Sequence, residues 1–229
     1  MKAKSPFDFY TSSQLVEITG KKASNLHEFV IVLESIDSSS IFYHVHHAFR
    51  EHQFAPGLYT NDFAYWMRSE LGENALAERI ENINLKDYTE LNSLREKIIE
   101  IIKNKIQNFP ESGNIPAKHK FYFCRNIGVV QKTKYSARDL EEFCDNLCKV
   151  GLRSLFFHFF EARLRLGRKT NDFSDWIKHN FGDEPLARKI EALDPYLYTM
   201  DQLRDKIIAL VRGEKRSFFC QVLKWLKLR

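Results

Sequence analysis

The 229-residue chain is poor in the loops on which common catalytic folds depend. Its nine glycines include no Gly-x-Ser-x-Gly elbow, no Gly-x-Gly-x-x-Gly turn and no P-loop, so nucleophile-elbow hydrolases and nucleotide enzymes of the usual folds are disfavoured. Long apolar runs are also missing. No segment approaches the roughly 18 uninterrupted apolar residues of a membrane span, and Met1-Lys2-Ala3-Lys4-Ser5-Pro6 leads into Phe7 without an apolar h-region. A cytoplasmic protein is the expectation. The four cysteines fit that compartment: Cys144 and Cys148 stand four apart, not at the Cys-x-x-Cys spacing of zinc or redox sites, and Cys124, Cys144, Cys148 and Cys220 read as small buried apolar residues. A formal net charge of +5 is too small a basic excess, without a recognisable module, to argue for nucleic acid as the main partner.

What the chain does have is a pattern that returns. Phe42-Tyr43-His44, Thr60-Asn61-Asp62-Phe63, Trp66, Gly72, Leu76-Ala77 and Ile80-Glu81 recur as Phe156-Phe157-His158, Thr170-Asn171-Asp172-Phe173, Trp176, Gly182, Leu186-Ala187 and Ile190-Glu191. The offset is 114 from Phe9/Phe123 to His44/His158, 110 at Asn61/Asn171 and 109 at Leu94/Leu203. Slips of loop size between constant stretches predict a duplicated domain. The expected organisation is a first helical repeat over 1–108, a linker over 109–117 rich in helix breakers, a second repeat over 118–213 and a separate tail over 214–229. So short a linker predicts two units side by side, with a pseudo-two-fold relation.

Periodicity makes both repeats helical. Leu26, Phe29, Val30, Leu33 and Ile36 form one stripe, and Leu140, Phe143, Cys144, Leu147 and Val150 repeat it. Thr11 with Gln14 reads as a capping box, Gly20 as the end of that helix, Ser38 to Ser40 as the start of the helix carrying His44, and Thr199 with Gln202 as the start of the last one. About six helices per repeat are expected. No run alternates long enough to argue for a sheet, although Phe7-Asp8-Phe9-Tyr10 and Phe121-Tyr122-Phe123 read as short extended entries. The fold class expected is all-α: two tandem copies and a C-terminal amphipathic helix.

The third helix carries the chemistry worth weighing. Leu155-Phe156-Phe157-His158-Phe159-Phe160 is apolar on every side, which puts His158 in a core, and His44 holds the same position in the first repeat. A buried imidazole needs partners, and Asp62 and Asp172 are the candidates. These aspartates also read as helix caps, and Trp66 and Trp176 read as core anchors. His44, His158, Asp62 and Asp172 are the candidate catalytic pocket, although an enzyme is not the favoured reading. No cofactor is expected. The alternative is a divalent metal held by His44, His47, His158 and Glu161, should the two third helices meet. His158→Phe is expected to leave a folded protein, because volume and apolar surroundings are kept.

Charge is uneven along the chain. Residues 1–108 carry 12 basic and 15 acidic side chains, 109–213 carry 18 and 14, and 214–229 carry five and one. Arg163, Arg165, Arg168 and Lys169 crowd one helix end and form the candidate anion-binding face. In the tail, Phe218, Phe219, Val222, Trp225 and Leu226 share a stripe flanked by Lys224 and Lys227, so Phe218, Val222, Trp225, Lys224 and Lys227 are candidate partner-binding residues. A docked helix, a partner's groove and a membrane surface are the readings of this tail.

The recurring aromatic pair before His, with Asn-Asp-Phe-x-x-Trp, Leu/Phe-Gly-Glu/Asp and Leu-Ala, resembles a prokaryotic domain family of unknown function. The likeness runs from about Phe7 to Val211, once per repeat. It implies no activity. The reading is a tandem-repeat protein that binds another protein or itself, the alternatives being a small-molecule or metal-binding protein or enzyme, and an anion or nucleic-acid binder acting through the basic second repeat.

Overall fold

Two long strands overturn the all-α expectation. In the computed structural model, β1 (Phe7–Ala23) and β2 (Phe121–Ala137) form a two-stranded sheet. Ion pairs of 2.6 Å join Lys132 to Asp8 and Arg125 to Glu17, and the Thr19 hydroxyl donates to the Phe123 carbonyl at 2.7 Å, so the strands run antiparallel. The structure describes residues 1–51, 61–167, 169–194 and 197–213, with backbone alone at residue 14 and at residues 47–51 and 165–166. The expected C-terminal helix lies outside the described residues.

Why the sheet escaped the period-2 test is visible in its burial. Along β2 only Phe121, Phe123 and Ala137 are buried, with Tyr122 exposed between the first two, and most of the span between Phe123 and Ala137 is exposed or half-buried. Alternation needs one face against a core, and here a core touches only the strand ends. Thr11, Gln14 and Gly20, read as helix boundaries, all lie within β1.

The chain divides into two compact units, and neither is a contiguous half. Unit I is Gln14–Gly128 and unit II joins Met1–Ser13 to the described residues from Val129 onward. Each strand therefore changes unit along its length. Contiguous tandem copies, as read from the sequence, do not describe the packing, because each half sends its Phe-x-Phe segment into the unit that holds the other half's helices.

Unit I contains α1 (Leu26–Ser35), α2 (Ser38–Glu51), α3 (Asp62–Ser69), α4 (Asn74–Glu81) and α5 (Leu91–Asn108). Asn25 caps α1 by accepting from the Glu28 amide at 2.8 Å, and the expected stripe of Leu26, Phe29, Val30, Leu33 and Ile36 is buried. Phe29 stacks on Trp66, their centroids 5.1 Å apart, and meets Phe63 and Phe121 edge-on. Phe123 is fully buried, and that burial contributes about 1.5–3 kcal/mol. The segment read as a linker packs here. Pro110–Asn114 forms a 3-10 turn with Ser112 and Gly113 buried.

Unit II contains α6 (Leu140–Lys149), α7 (Leu152–Phe156), α8 (Ala162–Leu166), α9 (Asp172–Phe181), α10 (Glu184–Glu191) and α11 (Met200–Arg212). A π turn, Phe157–Glu161, joins α7 to α8 and holds His158. Phe9 and Trp176 each stack on Phe143, at 5.8 Å and 5.5 Å, while Phe7 meets Phe143 and Trp176 edge-on. Thr199 and Gln202 form the expected capping box of α11. Arg204, buried in that helix, donates to the Val150 carbonyl at the end of α6 at 2.9 Å, as Arg95 does to Ile36 in unit I at 2.6 Å. Burial lowers the Arg204 pKa, and Asp201 and Asp205 oppose that shift.

Cys124 and Cys144 are free thiols, and burial pushes Cys144 up to about 12. Cys148 is disulfide-bonded, which corrects its reading as a plain core residue.

Candidate functional site: the histidine clamps

In each unit a serine and a histidine, one helical turn apart, face the same strand residue. On α2, the Ser40 hydroxyl donates to the Cys124 carbonyl at 2.6 Å and His44 Nε2 accepts from the Cys124 amide at 2.9 Å. In unit II, Ser154 donates to the Tyr10 carbonyl at 2.6 Å and His158 Nε2 accepts from the Tyr10 amide at 2.8 Å. An i, i+4 pair on a helix thus supplies the one acceptor and one donor that a neighbouring strand would have supplied. The helix closes a strand edge.

The other ring nitrogen is held as well. His44 Nδ1 lies 2.9 Å from Asp62 Oδ2, and His158 Nδ1 lies 2.7 Å from Asp172 Oδ2. Because Nε2 accepts, the proton of the neutral ring sits on Nδ1 and points at the carboxylate. Each aspartate is the first residue of its helix, and the cap is its neighbour: Asn61 accepts from the Ala64 amide at 2.8 Å, and Asn171 accepts from the Phe173 and Ser174 amides. The capping role read for Asp62 and Asp172 therefore belongs to Asn61 and Asn171, which frees the aspartates to fix the rings.

Two further contacts extend the grip towards the start of each strand. Trp66 Nε1 donates to the His119 carbonyl at 2.8 Å, and Trp176 Nε1 to the Ser5 carbonyl at 2.9 Å. Both tryptophans are buried, so they are core anchors with a polar tip in use. The seated segments are Phe121-Tyr122-Phe123-Cys124 and Phe7-Asp8-Phe9-Tyr10, their phenylalanines in the aromatic cores and the residue between them turned away.

With both nitrogens bonded and only 3% of either histidine exposed, the rings are arranged to hold backbone and not to move a substrate proton. Burial, with the Asp62 carboxylate nearby, raises the Cys124 thiol above its ordinary value, which suits a resting thiol and not a thiolate nucleophile.

The metal candidates fall in different units. His44 belongs to unit I and His158 to unit II, each with its own aspartate, and the Glu161 carboxylate accepts from the Ser12 hydroxyl at 2.9 Å. The His47 side chain lies outside the described residues. Among the described residues no group of three or more His, Cys, Asp or Glu side chains is placed to hold a metal ion. Of the anion candidates, Arg165 and Arg168 lie outside the described side chains. Arg163 is half-buried on α8 and Lys169 lines a cleft of about 290 Å³ beside Thr170, Lys178 and Arg188, where Asp175 and Glu184 offset the positive charge. Phe218, Val222, Trp225, Lys224 and Lys227 also lie outside the described residues.

Residues 4–212 match a family of unknown function, DUF5752. The chain belongs to that family. The match takes in both clamps, and it agrees with the resemblance to a domain of unknown function read from the aromatic-His and Asn-Asp-Phe-x-x-Trp patterns. The fold is similar to the solved structure of OrfY from Thermoproteus tenax, with a TM-score of 0.79 and 29% identity over 93% of this chain and 96% of that one. No curated protein matches the chain. No described helix is long and apolar enough to cross a membrane.

Sequence reasoning missed Ser40 and Ser154. A signal was available, since each stands four residues before its histidine. It also missed the strand backbone as partner, which no side-chain pattern announces.

Proposed function

We propose that this chain is a protein-binding module. The observation carrying the reading is on β1: Leu15, Val16 and Ile18 are 65%, 50% and 71% exposed, in a strand that pairs with β2 on one side only among the described residues. Apolar side chains beside a strand edge fit an extended segment of another protein, which adds main-chain hydrogen bonds at the edge and fills side-chain positions along it. The engagement of both histidines in backbone contacts supports binding over catalysis. Substituting Ile18 with lysine tests it. Tagged full-length chain should retain a partner that the Ile18→Lys chain loses at least about tenfold, with melting unchanged, since 1.4 kcal/mol is a factor of ten. Equal retention by both chains counts against β1 as the binding surface.

The cytoplasm is the proposed compartment, and the Cys148 disulfide stands against it, because cytoplasmic reductants open most disulfides. Alkylation of the native protein during rapid acid-quenched lysis decides: labelling of Cys148 as a thiol supports the cytoplasm, and a protected Cys148 supports an oxidising compartment.

A further inference from the structure

Each unit holds its strand by the same contacts although the strands differ. A tryptophan Nε1 takes the carbonyl two residues before the first phenylalanine, two phenylalanines enter the core, and a Ser/His pair takes the carbonyl and amide of the residue after the second. Only Phe-x-Phe is common to the two occupants: the middle residue is Asp8 or Tyr122 and the clamped one Tyr10 or Cys124. The groove takes backbone and two aromatic rings from both occupants, and in unit II Asp8 adds an ion pair to Lys132 and Tyr10 adds ring contacts with Phe157 and His158.

We infer that the unit II groove is a strand-binding site that accepts the Phe7–Tyr10 segment of a second copy of this chain, giving a reciprocally exchanged dimer. This goes beyond the proposal of a foreign partner at the β1 edge and does not depend on it. Two features carry it. The occupant is distant in sequence from its groove, 148 residues separating Tyr10 from His158, so nothing local fixes which copy supplies it. All of its contacts with the groove are remade unchanged when an identical segment arrives, which is why exchange of an element between protomers carries little energetic cost. A tethered segment has a high effective concentration, so the monomer prevails when dilute and the dimer gains with concentration.

Complementation tests the site. One full-length variant carries Phe7→Ala and Phe9→Ala, which spoil the strand and spare the groove; the other carries His158→Ala and Trp176→Ala, which spoil the groove and spare the strand. After mixing at high concentration with a brief pulse of mild denaturant, light scattering should find a species of twice the monomer mass containing one of each, absent from either variant alone. Two monomers after mixing would overturn the inference. Should the variants not fold, wild-type chains carrying donor and acceptor dyes decide it: energy transfer growing over hours at raised concentration supports exchange, and its absence after the same pulse excludes it. A protein lacking the Ile18-dependent partner would still pass this test, so the two proposals fail separately.

Discussion

Replacing His158 with phenylalanine should lower the stability of unit II by about 3 kcal/mol, a fall of many degrees in melting temperature. Volume is kept, and on sequence grounds the change looks harmless. The structure says otherwise, because phenylalanine leaves the Tyr10 amide without its acceptor and the Asp172 carboxylate without its ring donor, both at the edge of an aromatic core. Losing such a hydrogen bond at the edge of a core costs about 1–3 kcal/mol for each group. Adding Asp172→Asn to His158→Phe should recover part of the loss, since a neutral amide costs less to leave near that core than a carboxylate. Thermal melts of wild type, both single variants and the double variant give the coupling, and strict additivity would mean the two side chains act independently. The same change at His44 should have a similar effect through Cys124 and Asp62.

His46 gives the second large effect, and it depends on pH. The ring is buried against Phe42, centroids 4.8 Å apart, and burial pushes its pKa down to about 4 from an ordinary 6.5. It is neutral in the folded chain, whereas the unfolded chain takes up a proton as pH falls below about 6.5. The unfolded state therefore binds more protons between pH 6.5 and 4, and stability falls across that window and then levels. The loss between pH 7 and pH 5 should be about 2 kcal/mol. His46→Phe should remove that slope while the protein stays folded, because the corresponding position in unit II is Phe160, which stacks on Phe156 at 4.9 Å. Denaturant unfolding of both chains at pH 7 and pH 5 measures it. Parallel losses in the two chains would acquit His46.

The helices and the cores were legible because their signals are local. The stripes from Leu26 to Ile36 and from Leu140 to Val150 mark the helices, and a histidine among phenylalanines demands a partner, which Asp62 and Asp172 supply. The strands were not legible, because a core faces only their Phe-x-Phe ends and leaves Leu15, Val16 and Ile18 outside any burial pattern. Nor was the exchange of those ends between the halves. Matching Phe9 to Phe123 in sequence cannot show which core each enters, since both cores present the same aromatic walls. The asparagine and aspartate of each Asn-Asp pair could not be told apart by composition. Both suit a helix start, and only the distance to the histidine separates their roles.

The far-flung partnership of Tyr10 and His158 also has a consequence for synthesis. Phe7 and Phe9 leave the ribosome more than a hundred residues before Phe143, Phe173 and Trp176, which bury them. Over that interval the nascent chain carries two greasy side chains with no home, and the Gln14–Gly128 body must in turn await Phe121 and Phe123 before it can close. A long contact range of this kind slows folding and exposes sticky surface to neighbours on the same messenger. Of the two bodies, the one completed first by translation is the one whose last strand arrives by residue 128.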